Sequence, residues 1–262
     1  TLVLLYHFGV TALVGGWVGI NHFFVFSGYL ITRLLISERA KTGGIDVLRF
    51  YKRRAERLIP ALLVLCTAVL VSGLFVGSAN RHRDAGDVLA SLFFVQNWRL
   101  ISRDDAYFEQ VGNPSPLQHA WTLGVEEQFY LLVPLLVLGL FAAFRTSRTA
   151  RLVVVAALAV ASAAWTAHLA GSGVDFARLY YGTDTRAHQL LVGAAVAALL
   201  SGGPGSLDRE HARLIDLWCR RLGIPAFVVV LSAFWWAGKA QTVLFEGGAV
   251  VLSVLISIVL VA

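Results

Sequence analysis

Long apolar stretches, separated by short polar or basic ones, divide this chain into segments of membrane-spanning length. A helix needs about 20 apolar residues to cross roughly 30 Å of hydrocarbon, and lipid offers the backbone no hydrogen-bond partners. The pattern therefore predicts an all-α fold, a polytopic transmembrane helix bundle with about eight spanning helices. The predicted segments lie near 1–14, 16–37, 59–78, 128–144, 152–170, 186–201, 224–238 and 243–262.

A ninth apolar stretch, at 88–98, is shorter and is followed by a polar loop, which favours a re-entrant or interfacial helix. With that assignment, fourteen Lys and Arg residues fall in the loops 38–58, 145–151 and 202–222, and six fall in the opposite loops. Lys and Arg concentrate in the cytoplasmic loops of membrane proteins. The three basic loops are therefore predicted to face the cytoplasm.

Composition narrows the class of protein further. Hydrophobic residues make up 57% of the 262 residues, and charged residues only 15%, with a net charge of +6. Because each basic block is flanked by spanning-length apolar runs, membrane topology explains the charge, and no nucleic-acid partner is expected. Cys66 and Cys219 have no metal-ligand spacing around them, so we expect neither a disulfide nor a metal site. The chain begins and ends inside apolar runs, and we expect one membrane domain over 1–262, truncated at both ends.

His7 lies within an apolar run, which places an ionisable ring inside a predicted spanning helix. Ionisable side chains are costly in lipid and are therefore candidates for function. A neutral imidazole is also a good general base near pH 7. The alternative is a neutral histidine that forms a hydrogen bond between helices.

The stretch from Arg49 to Arg57 carries five positive charges at the inner end of a membrane helix. Anchoring on the cytoplasmic side explains these charges without further function. Arg54 and Arg57, however, are three residues apart and share one helical face, where two guanidinium groups could bind phosphates. Both interpretations remain open at the level of sequence.

Three other polar groups stand out within apolar surroundings. A helix after residue 115 carries Trp121, Glu126, Glu127 and Tyr130 into an apolar run, although carboxylates at the membrane boundary are the simpler explanation. Ser27 and Gly28 are more typical of close helix packing than of catalysis. In the third group, Asp184 suits the first turn of a helix, and Arg186 could reach out to the lipid headgroups.

Taken together, several sequence blocks resemble the acyltransferase-3 family of membrane O-acyltransferases, which includes bacterial O-antigen acetylases. Six blocks in the right order carry the resemblance, and beyond residue 193 the chain matches only as hydrophobic helices. The blocks are Tyr6-His7-Phe8, residues 16–31, residues 50–60, Gln96-Asn97-Trp98, residues 119–131, and Thr183-Asp184-Thr185-Arg186 leading to Gly193.

The resemblance implies a bundle of about ten helices in which His7 is the catalytic base. It also implies that Arg54 and Arg57 hold the acyl-CoA and that Glu126 is a catalytic glutamate. Asn21 departs from the family pattern, since many members have Asp there. The arginine that usually precedes the catalytic histidine would lie before Thr1. We predict that Asn21 belongs to the substrate-binding residues, with Trp121, Tyr130 and Arg186.

The predicted function is transfer of an acyl group, most simply acetyl, from cytoplasmic acyl-CoA to a hydroxyl of an envelope carbohydrate or similar acceptor. Acyl-CoA is then a donor substrate, and no permanently bound cofactor is expected. The predicted location is the cell inner (plasma) membrane. The alternative is a polytopic transporter or channel in which His7 and Glu126 form an intramembrane path.

Overall fold

The computed structural model describes residues 14–75, 81–103, 115–201, 209–239 and 241–262. These residues form helices and connecting turns, and no strand occurs among them. The predicted all-α class is therefore confirmed. The main helices are α1 (Gly19–Thr42), α2 (Val47–Phe75), α3 (Arg81–Leu92), α4 (Gln96–Ser102), α5 (Ala120–Ala143), α6 (Arg148–Gly171), α7 (Phe176–Tyr181), α8 (Thr183–Leu200), α9 (Arg209–Trp236) and α10 (Ala249–Val261).

Five helical segments in the described part of the chain are long and apolar enough to cross a membrane. Helices α8 and α9 cover the predicted segments at 186–201 and 224–238 without meeting the same length and hydropathy criteria. The predicted segment 1–14 lies outside the described residues except for Val14. The five spans are Gly16–Thr42, Val47–Phe75, Ala120–Ala143, Arg148–Gly171 and Leu244–Val261.

The predicted cytoplasmic loop 38–58 is largely helical, which corrects its description as a loop. Helix α1 continues to Thr42 and ends at Gly43, whose φ of 79° is the left-handed conformation that glycine adopts readily. Helix α2 begins four residues later, where the Asp46 carboxylate accepts a hydrogen bond from the Arg49 backbone N–H at 2.9 Å. Hydropathy marks where lipid contact ends, and these helices continue beyond that point.

The stretch 88–98 forms parts of two short helices rather than one crossing. Helix α3 ends at Leu92, and α4 begins at Gln96 after a turn that contains Phe94 at a φ of 56°. The buried Asp87 carboxylate joins the two helices, because it lies 2.6 Å from Arg99 Nε and 3.3 Å from Arg103 Nη1. This arrangement agrees with the predicted re-entrant or interfacial segment.

Helix α1 lies at the centre of the bundle and packs extensively against α8, and α8 packs against α6. Two glycines allow the close approach of α1 and α8. A Cβ atom at Gly28 would overlap the backbone carbonyl of Leu190, and one at Gly193 would overlap that of Val25. The predicted packing role of Gly28 is confirmed, and this contact holds α1 beside the polar groups of α5 and α8.

Candidate functional site

The polar residues singled out by the sequence form two buried clusters between the helices. The first contains Arg54, Glu126, Glu127 and Tyr130 with Ser27, and the second contains Asn21, Trp121 and Arg186. His7, the predicted catalytic base, lies outside the described residues, so its role stays a prediction.

Arg54 reaches from α2 to α5 and forms an ion pair with Glu127. Its Nη2 lies 2.5 Å from Glu127 Oε1, and its Nε lies 3.3 Å from Oε2, so the guanidinium group binds both carboxylate oxygens. The side chains of Arg54 and Glu127 are only 19% and 12% exposed. Glu127 is therefore not a surface carboxylate at the membrane boundary, which was the simpler sequence interpretation. A two-point pair of this kind fixes the orientation of both side chains.

Glu126 and Tyr130 continue this cluster one helical turn along α5. The Tyr130 hydroxyl donates to Glu126 Oε1 at 3.3 Å and also forms a hydrogen bond with the Ser27 hydroxyl of α1. The Arg54 guanidinium carbon lies 3.6 Å from the centre of the Tyr130 ring. Glu126 thus has a hydrogen-bond donor and a positive charge close by, although it lies among apolar helices.

The position of Ser27 indicates the depth of this cluster. Ser27 follows Gly16 by eleven residues and precedes Thr42 by fifteen. At about 1.5 Å per residue, it lies roughly 16 Å from one end of the span and 22 Å from the other. Ser27 and the cluster around it therefore lie near the middle of the segment Gly16–Thr42 rather than at either end.

Arg57 has a different environment from Arg54. It is exposed on α2, and it forms no ion pair with any residue that the structure describes. The sequence placed the two arginines on one helical face, but only Arg54 turns towards α5. Their joint binding of a phosphate donor stays a prediction.

Arg186 is the centre of the second cluster and is 1% exposed. Its Nε donates to the Tyr180 carbonyl at 2.7 Å, and its Nη1 donates to Asn21 Oδ1 at 3.3 Å. Its guanidinium carbon lies 4.7 Å from the Tyr180 ring centre, 5.3 Å from that of Phe245 and 5.9 Å from that of Trp121. Arg186 therefore does not reach out to the lipid headgroups, because cation–π contacts and two oxygen acceptors hold it inside the bundle.

Asn21 and Trp121 are also 1% exposed, so all three members of this cluster are shielded from solvent, and Arg186 contacts both of the others. The Trp121 ring packs against Tyr180, with 4.9 Å between the ring centres. Three of the four predicted substrate-binding residues are thus brought together, whereas Tyr130 belongs to the other cluster. Their role in binding a substrate stays a prediction.

A further, partly buried hydrogen-bond network was not predicted from the sequence. Gln128 donates to Asn97 Oδ1 at 3.0 Å, Asn97 donates to Thr183 Oγ1 at 2.9 Å, and Thr183 donates to Gln128 Oε1 at 2.6 Å. The three residues come from α4, α5 and the start of α8, so no local pattern could pair them. The available signal was their presence in three different blocks of the family resemblance.

A cavity of about 350 Å³ at the predicted cytoplasmic ends of α1, α5, α6 and α8 was also not predicted. Four arginines line it, and the sequence had indicated only their contribution to topology. Among the described residues, no group of three or more His, Cys, Asp or Glu side chains is placed to hold a metal ion. Cys66 and Cys219 are not joined in a disulfide.

Comparison with known proteins gives one family and several relatives. The model of the acyltransferase-3 family, described as an acyltransferase domain, matches residues 2–262. The O-acetyltransferase OatA of Staphylococcus aureus (strain NCTC 8325 / PS 47) is 36% identical over 251 residues, which is 96% of this chain and 41% of the relative. The peptidoglycan O-acetyltransferase OatA of Listeria monocytogenes is 35% identical over 255 residues, which is 97% of this chain and 40% of the relative.

The chain thus spans about two fifths of the length of the curated relatives it matches. No solved structure gives a significant match. The family match covers almost the whole chain and agrees with the several apolar helices of the fold. The chain is a multi-pass membrane protein and belongs to the acyltransferase-3 family.

Proposed function

We propose that this protein transfers an acetyl group from acetyl-CoA to a hydroxyl of an envelope carbohydrate, at the cell inner (plasma) membrane. Two relatives are named O-acetyltransferases, and the name of the Listeria monocytogenes relative specifies peptidoglycan. Peptidoglycan glycan is therefore the first acceptor to test. Family membership favours this function over the alternative of a transporter or channel.

The observation that carries the proposal is the buried cluster of Glu126, Tyr130 and Arg54. Glu126 is 6% exposed and lies among spanning helices, where an ionisable group is costly and is therefore a candidate for function. Tyr130 and Arg54 supply a donor and a positive charge beside it. A proton-transfer site at this depth suits a reaction between a cytoplasmic donor and an acceptor from the other face.

In the proposed reaction, the His7 imidazole takes the proton of the acceptor hydroxyl as its oxygen attacks the thioester carbonyl. The carbon–sulfur bond then breaks, the acetyl group becomes an ester of the acceptor, and the CoA thiolate receives the proton from His7. Glu126 would stabilise the positive charge that forms on the imidazole during the transfer. This assignment of His7 rests on the sequence resemblance.

Donor binding is proposed for Arg54 and Arg57, and acceptor binding for Asn21, Trp121, Tyr130 and Arg186. The ion pair with Glu127 bears on this proposal, because a phosphate that binds Arg54 would share it with a carboxylate. Arg57 is exposed and has no such competitor among the described residues. Among the described residues, Arg57 therefore offers a phosphate a guanidinium group that no carboxylate already occupies.

The test is acetyl transfer by the full-length protein in membranes, with radiolabelled acetyl-CoA and soluble peptidoglycan fragments as acceptor. Replacing His7 with Ala removes the proposed base and is expected to lower the rate by at least about 100-fold. The matched control is His168→Ala, which removes an exposed histidine of α6 and should leave the rate unchanged. Near-normal transfer by the His7 variant would refute its assignment as the base.

A further inference from the structure

The cavity at the predicted cytoplasmic ends of α1, α5, α6 and α8 combines arginines with an apolar wall. Arg39, Arg145, Arg148 and Arg151 line it, and the lining residues that the structure describes include no Asp or Glu. None of these four arginines forms an ion pair with a described carboxylate, and residues 202–208, which follow Ser201, lie outside the described part of the chain. The cavity therefore concentrates positive charge without a carboxylate in the described part of its wall.

Two of these arginines are buried, unlike arginines that only hold a helix end at the cytoplasmic face of the membrane. Arg148 and Arg151 are each only 8% exposed, whereas charges that anchor a helix at a membrane face remain in water. Arg148 Nη2 donates to the Ala198 carbonyl at 3.2 Å, but its Nε and Nη1 have no hydrogen-bond partner among the described residues. Buried charged donors without partners are costly, and an anion in the cavity would satisfy them.

Arg151 forms a hydrogen bond and a ring contact within the cavity wall, and these contacts fix its position. Its Nη1 donates to the Phe144 carbonyl at 2.6 Å, and its guanidinium carbon lies 4.2 Å from the centre of the Phe141 ring. Arg39 of α1 lies 4.7 Å from the same ring. Phe141 thus orients two guanidinium groups, so that this end of the cavity is preformed.

Most of the other lining residues are apolar, and those of α1 and α5 extend towards the Glu126 cluster. Ile36 of α1 and Val137 of α5 line its middle, and Thr32 and Val133 also line the cavity. Thr32 is five residues from Ser27 along α1, and Val133 is three residues from Tyr130 along α5. The cavity therefore extends from the cationic helix ends towards the depth of that cluster.

We propose that this cavity binds a phosphate-bearing amphiphile, with its phosphate on Arg148, Arg151 and Arg39 and its apolar part between α1 and α5. Guanidinium groups match phosphate oxygens in geometry and charge, and the volume falls within the range of small-molecule sites. Two sources share this chemistry, CoA and an anionic phospholipid. If the ligand is CoA, the inference rests on the proposed function.

The experiment measures ligand retention by the full-length protein, with no acetyl transfer required. Protein in nanodiscs is titrated with CoA, and protein in detergent is exposed to equal amounts of phosphatidylglycerol and phosphatidylcholine before native mass spectrometry. Arg148→Gln should lower the affinity for CoA, or the retention of phosphatidylglycerol, by about tenfold or more through loss of charge-assisted hydrogen bonds. The control Arg213→Gln removes an exposed arginine of α9 and should stay within about twofold of wild type.

Each arm identifies a source. A loss restricted to CoA indicates a nucleotide site, and a loss restricted to phosphatidylglycerol indicates a lipid headgroup site. Unchanged retention of both probes by Arg148→Gln overturns the proposal. If that variant does not yield folded protein, Arg39→Gln removes a less buried member of the same wall, and unchanged retention there has the same meaning. Because no turnover is measured, failure of the His7 assignment leaves this result unaffected.

Discussion

Two regions along α5 contain arginines, the Glu127 cluster and the cavity lined by Arg148, and they differ in what faces the positive charge. In the Glu127 cluster, both oxygens of the carboxylate bind Arg54. In the cavity region, Arg148 lines a cavity of about 350 Å³, and two of its nitrogens have no hydrogen-bond partner in the described part of the chain. The first arginine is neutralised by the protein itself, whereas the second is free to bind an anion.

This difference separates two uses of a buried charge. An internal ion pair orients its own side chains, and loss of one partner leaves the other charge buried and unpaired. A cationic cavity without a carboxylate keeps its binding capacity for a ligand, and the protein bears the cost of the unsatisfied donors when the cavity is empty. The two regions should therefore respond in opposite ways to substitutions that remove charge.

The largest effect on stability is expected for Glu127→Gln. This variant keeps the side-chain shape but removes the carboxylate that pairs with Arg54, which should cost on the order of 3 kcal/mol in unfolding free energy. Unfolding in a denaturing-detergent titration measures the loss. The double variant Arg54→Gln with Glu127→Gln should recover part of it, and Arg148→Gln should cause no such loss. Equal destabilisation by Glu127→Gln and Arg148→Gln would contradict the comparison.

A smaller loss of stability is expected from weakening the contact of α1 with α8. This contact bears on the comparison because α1 contributes residues to both regions. Gly28→Ala places a Cβ atom against the Leu190 carbonyl, and such overpacking costs about 2 kcal/mol. Gly139→Ala in α5 is the matched control, because a Cβ atom there meets no other group within 4 Å. The same titration measures both variants. Equal stability of the two would show that the α1–α8 contact can open without cost.

The smallest effect is expected for Phe141→Leu, which removes the ring beside Arg39 and Arg151. The loss of two cation–π contacts should cost about 1 kcal/mol and should weaken retention of the phosphate-bearing probe. Phe227→Leu in α9 removes a half-exposed ring instead and serves as the control. The result would count against a preformed cavity if probe retention were the same in both variants.

The sequence indicated individual site residues but not the contacts between them. Glu126, Tyr130 and Arg186 were recognised because polar residues in apolar runs are conspicuous one at a time. The pairs that they form were not predicted, since Asn21 and Arg186 are 165 residues apart and meet only through the contact of α1 with α8. Glu127 was underestimated for the same reason, because its partner Arg54 lies on another helix.

The sequence by itself determined the helical class, the main spanning segments and the family, since hydropathy and sequence blocks are local properties of the chain. Only the tertiary structure decided which charges are neutralised and which face a cavity. Arg54 and Arg148 both belong to basic stretches predicted to be cytoplasmic. They differ because α5 presents a carboxylate to Arg54, whereas the described lining of the cavity beside Arg148 has none. Electrostatic energy depends on distances between side chains, and folding sets those distances between residues far apart in sequence.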